Sequence, residues 1–150
     1  MSELRELYQS VILDHNKRPR NFRQPEGANR SADGDNPLCG DKLTVYLAVK
    51  DGVVEDAGFI GSGCAISKAS ASLMTEAIKG KRVEEVEKLF AGFHQLVTAP
   101  PTAEVESAGL GKLAVFTGVR EFPVRVKCAT LAWHTMRSAL AQGGAPATTE

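Results

Sequence analysis

The dipeptide Asp51-Gly52 separates two strand-like runs, "KLTVYLAVK" and "VVEDAGFIG", and constrains the fold of this chain more than any other short stretch. An Asp-Gly pair between two such runs signals a tight β-hairpin, because a two-residue turn of this kind needs positive φ at both positions. Leu43, Val45, Leu47 and Val49 alternate with Thr44, Tyr46, Ala48 and Lys50, the period of a half-buried strand. The turn predicts a register in which Lys50 faces Val53, Val45 faces Gly58 and Lys42 faces Gly61. Extended outward, the same register brings Cys39 and Cys64 to the open end of the hairpin. Gly40, Gly61 and Gly63 predict bulging of the ladder at that end.

The remaining periodicity is helical. In "SELRELYQSVILDH", Leu4, Leu7, Tyr8, Val11 and Ile12 recur at helical spacing behind a possible Ser2 cap, and Pro19 stops the run. Arg23 to Asn36 reads as loop, with a short edge strand around Asn29 to Ala32. "CAISKASASLMTEAIKG" predicts a helix that begins almost at Cys64, carries Ile66, Ala69, Leu73, Ala77 and Ile78 on one face, and stops at Gly80. "RVEEVEKLFAGFHQLV" predicts another, with Val83, Val86, Leu89, Phe90 and Phe93 inward, ended by Pro100-Pro101. Residues 100–118 read as irregular or weakly helical. "VKCATLAWHTMRSALAQGG" gives a last helix in which Cys128, Ala132, Met136 and Leu140 share a face, and the tail from about 143 to 150 reads as frayed. The expected fold is α+β, a small antiparallel sheet of about three strands covered by helices on one side, as a single domain over residues 1–150.

Charge narrows the partners. Lysine plus arginine and aspartate plus glutamate both number 18, so no whole-molecule field argues for nucleic acid. The basic cluster "NKRPRNFR" has one aromatic and no recognition helix behind it, so nucleic-acid binding is not expected. The N-terminus lacks a basic start followed by an apolar core, unlike a secretory signal, and no apolar run approaches the ~20 residues of a membrane helix. A cytoplasmic protein is expected. Three cysteines in a reducing compartment do not make a closed set of disulfides, and cytosolic cysteine clusters more often serve metal binding or catalysis.

Two readings of those cysteines compete. Free cysteines are among the most buried residue types and behave as small hydrophobes. Against that, Cys64 and Cys128 fall at expected helix starts, where unpaired N–H groups and the macrodipole favour a thiolate. Cys39 joins Cys64 through the hairpin, and Asp41 lies beyond a glycine that lets the backbone turn tightly. Three thiolates and a carboxylate form a set that tetrahedral zinc accepts.

"NPLCGD", "GSGCAISKASAS" and "RVKCATLAW" resemble the three cysteine motifs of the iron–sulfur cluster assembly proteins related to SufU and IscU. The resemblance runs from about Leu4 to Leu140 and takes in the first helix, the hairpin and "SLMTEAIKGK". IscU-type scaffolds carry histidine immediately before the third cysteine, where this chain has Lys127. They are also shorter between the second and third motifs, where this chain has "KLFAGFHQLVTAPPTAEVESAGLGKL". Both departures resemble the SufU type. The resemblance implies zinc held by Cys39, Asp41, Cys64 and Cys128, with Cys39 accepting persulfide sulfur from a pyridoxal-phosphate cysteine desulfurase of the SufS kind. It thus implies a zinc-dependent sulfurtransferase that supplies the downstream iron–sulfur assembly machinery. The alternative it leaves is a scaffold that builds and passes on a transient iron–sulfur cluster.

His15, His94 and His134 lie in helical patterns away from the cysteine motifs and read as helix-surface or boundary residues. Arg125 and Lys127 read as solvated charges or as contacts for a carboxylate or a desulfurase rim, with the site or interface role preferred for Arg125. Trp133 and Phe122 read as core. Pro123 is expected to hold an extended segment ahead of Cys128.

Overall fold

The computed structural model describes residues 2–37, 39–104, 109–141 and 147–148. Helix α1 (Ser2–Lys17) is followed by three strands, β1 (Arg30–Asn36), β2 (Asp41–Lys50) and β3 (Val53–Ser62). Helices α2 (Ala65–Ile78) and α3 (Val83–Thr98), a 3-10 segment (Gly111–Glu121) and helix α4 (Pro123–Leu140) complete the body. The three strands pair antiparallel, and a two-residue strand β4 (Ala147–Thr148) adds parallel to β1 at Gly34 and Asp35, giving the order β3-β2-β1-β4. The class is α+β, as the sequence indicates. Beyond β4, the rest of the tail from residue 142 lies outside the described residues.

The turn forms as Asp-Gly chemistry requires, with φ of 53° at Asp51 and 76° at Gly52. The register differs from the simple extension of that turn. Lys50 faces Val53 and Val49 faces Val54, but a bulge then leaves Glu55 without a partner, and Ala48 faces Asp56. From there Val45 faces Phe59 and Lys42 faces Ser62, one residue beyond the sequence-based register. A bulged residue opposes nothing, so all pairing beyond it slips by one. The disruption lies near the turn; Gly61 at the open end keeps its pairing with Leu43, although at φ 146°.

One face of the sheet is dry. On β2, Leu43, Val45, Leu47 and Val49 are buried and alternate with more exposed neighbours. Helix α4 packs on β1 and β2, α2 packs on β3 and α4, and α1 lies on the outside of α2. Helix α2 is buried over most of its circumference, because Ser67, Ser70, Ser72 and Thr75 are buried beside Leu73 and Met74. Small polar residues let α1 and α4 approach it, with their hydroxyls bonded: Ser70 Oγ donates to the Ala129 carbonyl at 2.5 Å.

Three further expectations change. Helix α4 starts at Pro123, in its first turn, where a proline's missing N–H costs nothing, so Pro123 opens a helix and does not hold an extended segment. Phe122 is 52 % exposed and outside the core, whereas Trp133 is fully buried. Residues 111–121 are wound into 3-10 turns, in keeping with the weakly helical reading of the stretch up to 118, with Leu113, Val115, Phe116 and Val119 buried. His15 is buried, not superficial: its Nδ1 lies 2.7 Å from Ser72 Oγ, and the Arg20 backbone N–H donates to the same hydroxyl at 2.8 Å.

Two stability predictions follow from these contacts. A Cβ on Gly34 of β1 would overlap Oγ1 of Thr135 on α4, which donates to the Leu131 carbonyl at 2.7 Å. Gly34→Ala is therefore expected to lose about 1–3 kcal/mol in denaturant unfolding, and Thr135→Ala in the same chain to recover part of that loss.

Burial lowers the His15 pKa from its usual 6.5, the Arg20 charge adds to the effect, and Glu76 opposes it. The folded chain thus holds His15 neutral at a pH where the unfolded chain has begun to protonate. Stability is then lost as pH falls below about 6.5, the unfolded value. His134, lowered mainly by burial and by the His94 charge, acts in the same direction. Thermal melts below that pH should decline less steeply in His15→Asn than in the unsubstituted chain.

Candidate metal centre

The alternation of β2 fixes the first site residue. Leu43, Val45 and Leu47 face inward, and one further step of two residues puts Asp41 on the same face, with no exposed surface. The turn between β1 and β2 folds Cys39 back over it: the Cys39 and Gly40 N–H groups both donate to the Asn36 carbonyl, at 3.2 and 2.9 Å. Gly40 at φ 72° supplies the left-handed residue that this turn requires.

Cys64 caps α2, with its Sγ accepting from the Ser67 N–H at 3.4 Å. Its own backbone N–H donates to Asp41 Oδ1 at 2.8 Å. Gly63 makes this approach possible, since a Cβ there would stand 2.7 Å from that oxygen. Cys128 arrives from the second turn of α4, not from its first residues, so no helix start acts on it. Its thiol is 3.3 Å from Cys39 Sγ and is buried.

Cys39, Asp41 and Cys128 each present a ligand atom within 4.8 Å of the other two. The Cys64 thiol stands outside that group, exposed. It is still near enough to act on Cys128, whose thiol is pushed up by burial first, then by hydrogen bonding to Cys39 and Asp41 and by the charge of Cys64. The four residues expected from the sequence therefore converge on one end of the sheet, three in mutual contact and one at the rim. Cys39 and Cys64 are not cross-strand partners, because the β2–β3 ladder begins at Lys42 and Ser62.

One atom makes this a candidate cation site. Asp41 Oδ2 is buried and has no hydrogen-bond partner. A buried carboxylate oxygen left unpaired costs free energy; a thiol S–H is only a weak donor to it, whereas a cation shared with the thiol sulfurs would satisfy it fully. Two thiols grouped with an Asp41 carboxylate oxygen within 4.8 Å, and a third at the rim, make the donor set that zinc takes. The residues present fit the metal.

Sequence reasoning missed Asn36. It is fully buried, faces Asp41 across the β1–β2 pair, and sends its side-chain Nδ2 to within 3.9 Å of Cys128 Sγ. Its place as the last polar residue before the proline turn carried no separate signal, since β1 was expected to be shorter. Arg125 is exposed on the first turn of α4, with its guanidinium 5.4 Å from the Phe122 ring. It borders an apolar groove of about 480 Å³ lined by Tyr8, Ile12, Ile66, Val119 and Phe122. His94 and His134 stand apart from the centre, ring against ring between α3 and α4.

Among the described residues no helix is long and apolar enough to cross a membrane. Residues 7–141 match the family described as NifU-like N terminal domain. The chain is 37 % identical over 140 residues to the iron-sulfur cluster assembly scaffold protein IscU of Streptococcus pyogenes serotype M1, covering 93 % of this chain and 86 % of that one. It is 40 % identical over 139 residues to the zinc-dependent sulfurtransferase SufU of Bacillus subtilis, covering 91 % and 90 %. Among solved structures, a putative iron-sulfur cluster assembly scaffold protein for the SUF system from Fervidobacterium islandicum AW-1 superposes with a TM-score of 0.80 at 33 % identity, over 87 % of this chain and 93 % of that one.

Proposed function

Because the chain belongs to the family of NifU-like N-terminal domains, whose relatives include iron–sulfur cluster assembly proteins, we propose that it accepts sulfane sulfur on Cys39 for cluster assembly. The donor is the persulfide of a pyridoxal-phosphate cysteine desulfurase, and Cys39, Asp41, Cys64 and Cys128 hold zinc. The observation that carries this reading is the buried, unpartnered Asp41 Oδ2 beside the Cys39 and Cys128 thiols.

Bound there, zinc would keep the thiolates deprotonated near neutral pH and, having no redox chemistry, would leave sulfane sulfur unconsumed. The residues divide the remaining work by position. Cys39 stands half-buried on a turn, whereas Cys128 is anchored beneath it in α4. Cys39 has to leave the metal set before it reacts; its freed thiolate attacks the outer sulfur of the donor persulfide, a new S–S bond forms on Cys39, the donor's S–S bond breaks, and the donor cysteine leaves as a thiolate. No electrons are exchanged with a third party. Asp41, held by the Cys64 N–H, and Asn36, donating toward Cys128, fix the floor of the site while the turn moves. Lys127, standing where IscU-type scaffolds carry histidine, supports the sulfur-accepting reading.

A second reading has support of its own. The Streptococcus relative and the Fervidobacterium structure are both named as scaffolds, and three thiolates with a carboxylate can also hold an iron–sulfur cluster. Elemental analysis with a visible spectrum separates the two. Zinc without colour, together with faster turnover of a cysteine desulfurase on addition of the chain, supports sulfur acceptance. A stable coloured cluster after anaerobic reconstitution, transferred to an apo acceptor, would overturn that reading in favour of the scaffold.

A further inference from the structure

The two inner thiols are arranged for more than binding. Cys128 Sγ donates to Cys39 Sγ at 3.3 Å, a separation at which the sulfurs touch. A disulfide needs about 2.05 Å, so the sulfurs have to close by little more than an ångström. Cys128 is fixed in the second turn of α4, but Cys39 rides on the turn closed by the Asn36 carbonyl, where Gly40 has open space around its Cα. The approach therefore falls on the Cys39 side. Asn36 Nδ2, 3.9 Å from Cys128 Sγ, faces the same sulfur and favours the thiolate form from which Cys128 attacks. Cys64 is placed differently: its thiol is tied to the Ser67 N–H as the α2 cap and lies outside the contact group.

We propose that Cys128 resolves a persulfide on Cys39, so that the chain itself can release sulfane sulfur as sulfide. This rests on the reading of Cys39 as the sulfur acceptor and adds the step after it. The Cys128 sulfur attacks Sγ of the Cys39 persulfide; the Cys39–Cys128 bond forms, the bond to the outer sulfur breaks, and that sulfur departs with the Cys128 proton as hydrogen sulfide. The two thiol sulfurs are oxidised to a disulfide and the sulfane sulfur is reduced to sulfide, so no outside reductant or oxidant enters. Metal held between the same thiols would occupy the electron pairs this step uses. Resolution is thus the reaction of the metal-free chain, and metal loading preserves the persulfide.

The test loads sulfur onto the full-length chain in two ways, by a cysteine desulfurase with cysteine and by inorganic polysulfide. Excess reagent is removed, and released sulfide is followed with no thiol reductant present, before and after chelation. In the chelated chain the expected result is close to one sulfide per loaded chain, with a peptide linking Cys39 to Cys128. Cys128→Ser, which keeps the size of the side chain, is expected to retain the added sulfur on Cys39 and to release sulfide at least about tenfold more slowly. Thermal melts of the variant confirm that it is folded, and Cys128→Ala serves as a second variant. Equal sulfide release from the Cys128 variants, or a linked peptide that contains Cys64, would overturn the proposal. If the desulfurase places no sulfur on Cys39 while the polysulfide-loaded chain still resolves through Cys128, the acceptor reading fails and the resolving step stands. If Cys39 is loaded by both routes and no disulfide forms, the acceptor reading stands and the resolving step fails.

Discussion

Asp41→Asn should weaken zinc binding by on the order of 100-fold or more, and at the same time make the metal-free chain more stable. The two effects have one cause. In the metal-free chain, Asp41 Oδ2 is buried without a partner, and an unsatisfied buried acceptor costs about 1–3 kcal/mol. The amide keeps the shape of the side chain and keeps an oxygen for the Cys64 N–H, so the β2–α2 junction survives. It removes the second carboxylate oxygen, which weak thiol donors leave poorly satisfied and a bound cation would satisfy. Thermal melts with excess chelator should therefore place the variant above the unsubstituted chain, and melts with excess zinc should reverse the order. A purely structural role for Asp41, with no metal, predicts the variant below the unsubstituted chain in both conditions.

The largest loss of stability is expected at Trp133. Its ring is fully buried and stacks on Phe93 at 4.6 Å between centroids, and Phe93 in turn meets Phe116 edge-on at 5.8 Å. This stack ties α4, the helix that carries Cys128, to α3 and to the 3-10 segment. Trp133→Ala should lose about 3–5 kcal/mol, a large share of the 5–15 kcal/mol that a domain of this kind usually has. Trp133→Phe should lose much less, because the Trp133 Nε1 is itself buried without a hydrogen-bond partner and phenylalanine removes that penalty. Chemical denaturation of the two variants measures the difference.

Most of the architecture was legible from local chemistry. The Asp51-Gly52 turn, the Cys64 start of α2 and the proline stop after α3 are each set by residues within a few positions of the feature, and each forms. The failures lie where tertiary packing decides. The bulge at Glu55 follows Val54, which exchanges backbone hydrogen bonds with Lys81 and Gly80 from beyond α2, and it leaves the sequence-based register one residue out from Ala48 onward. His15 lies on a helix that reads as amphipathic, and only the arrival of Ser72 and Arg20 from elsewhere in the chain makes a polar pocket for it. Leu7, expected inward, is 58 % exposed, because α1 covers only the outer side of α2.

The site was legible for a related reason. The sequence reaches Asp41 through Cys39 and Gly40 and through the family resemblance; the fold places it by strand alternation, a step of two residues beyond Leu43. Cys39 is placed by a glycine turn, and Cys64 by a helix cap. Cys128 was assigned to the right helix but the wrong turn of it, because a proline was read as delaying the helix when it begins it. Asn36 was not found, since its burial comes from the length of β1 and from its partner Asp41.

The central claim is that Cys39 receives sulfur. The most direct measurement is peptide mapping of the zinc-loaded chain after incubation with a cysteine desulfurase and isotopically labelled cysteine, with thiols alkylated before digestion. The account predicts the labelled sulfur on the peptide carrying Cys39, and none on that peptide's counterpart from a folded, zinc-retaining Cys39→Ser chain. Label confined to Cys64 or Cys128, or absent from all three while the desulfurase carries its persulfide, would contradict it.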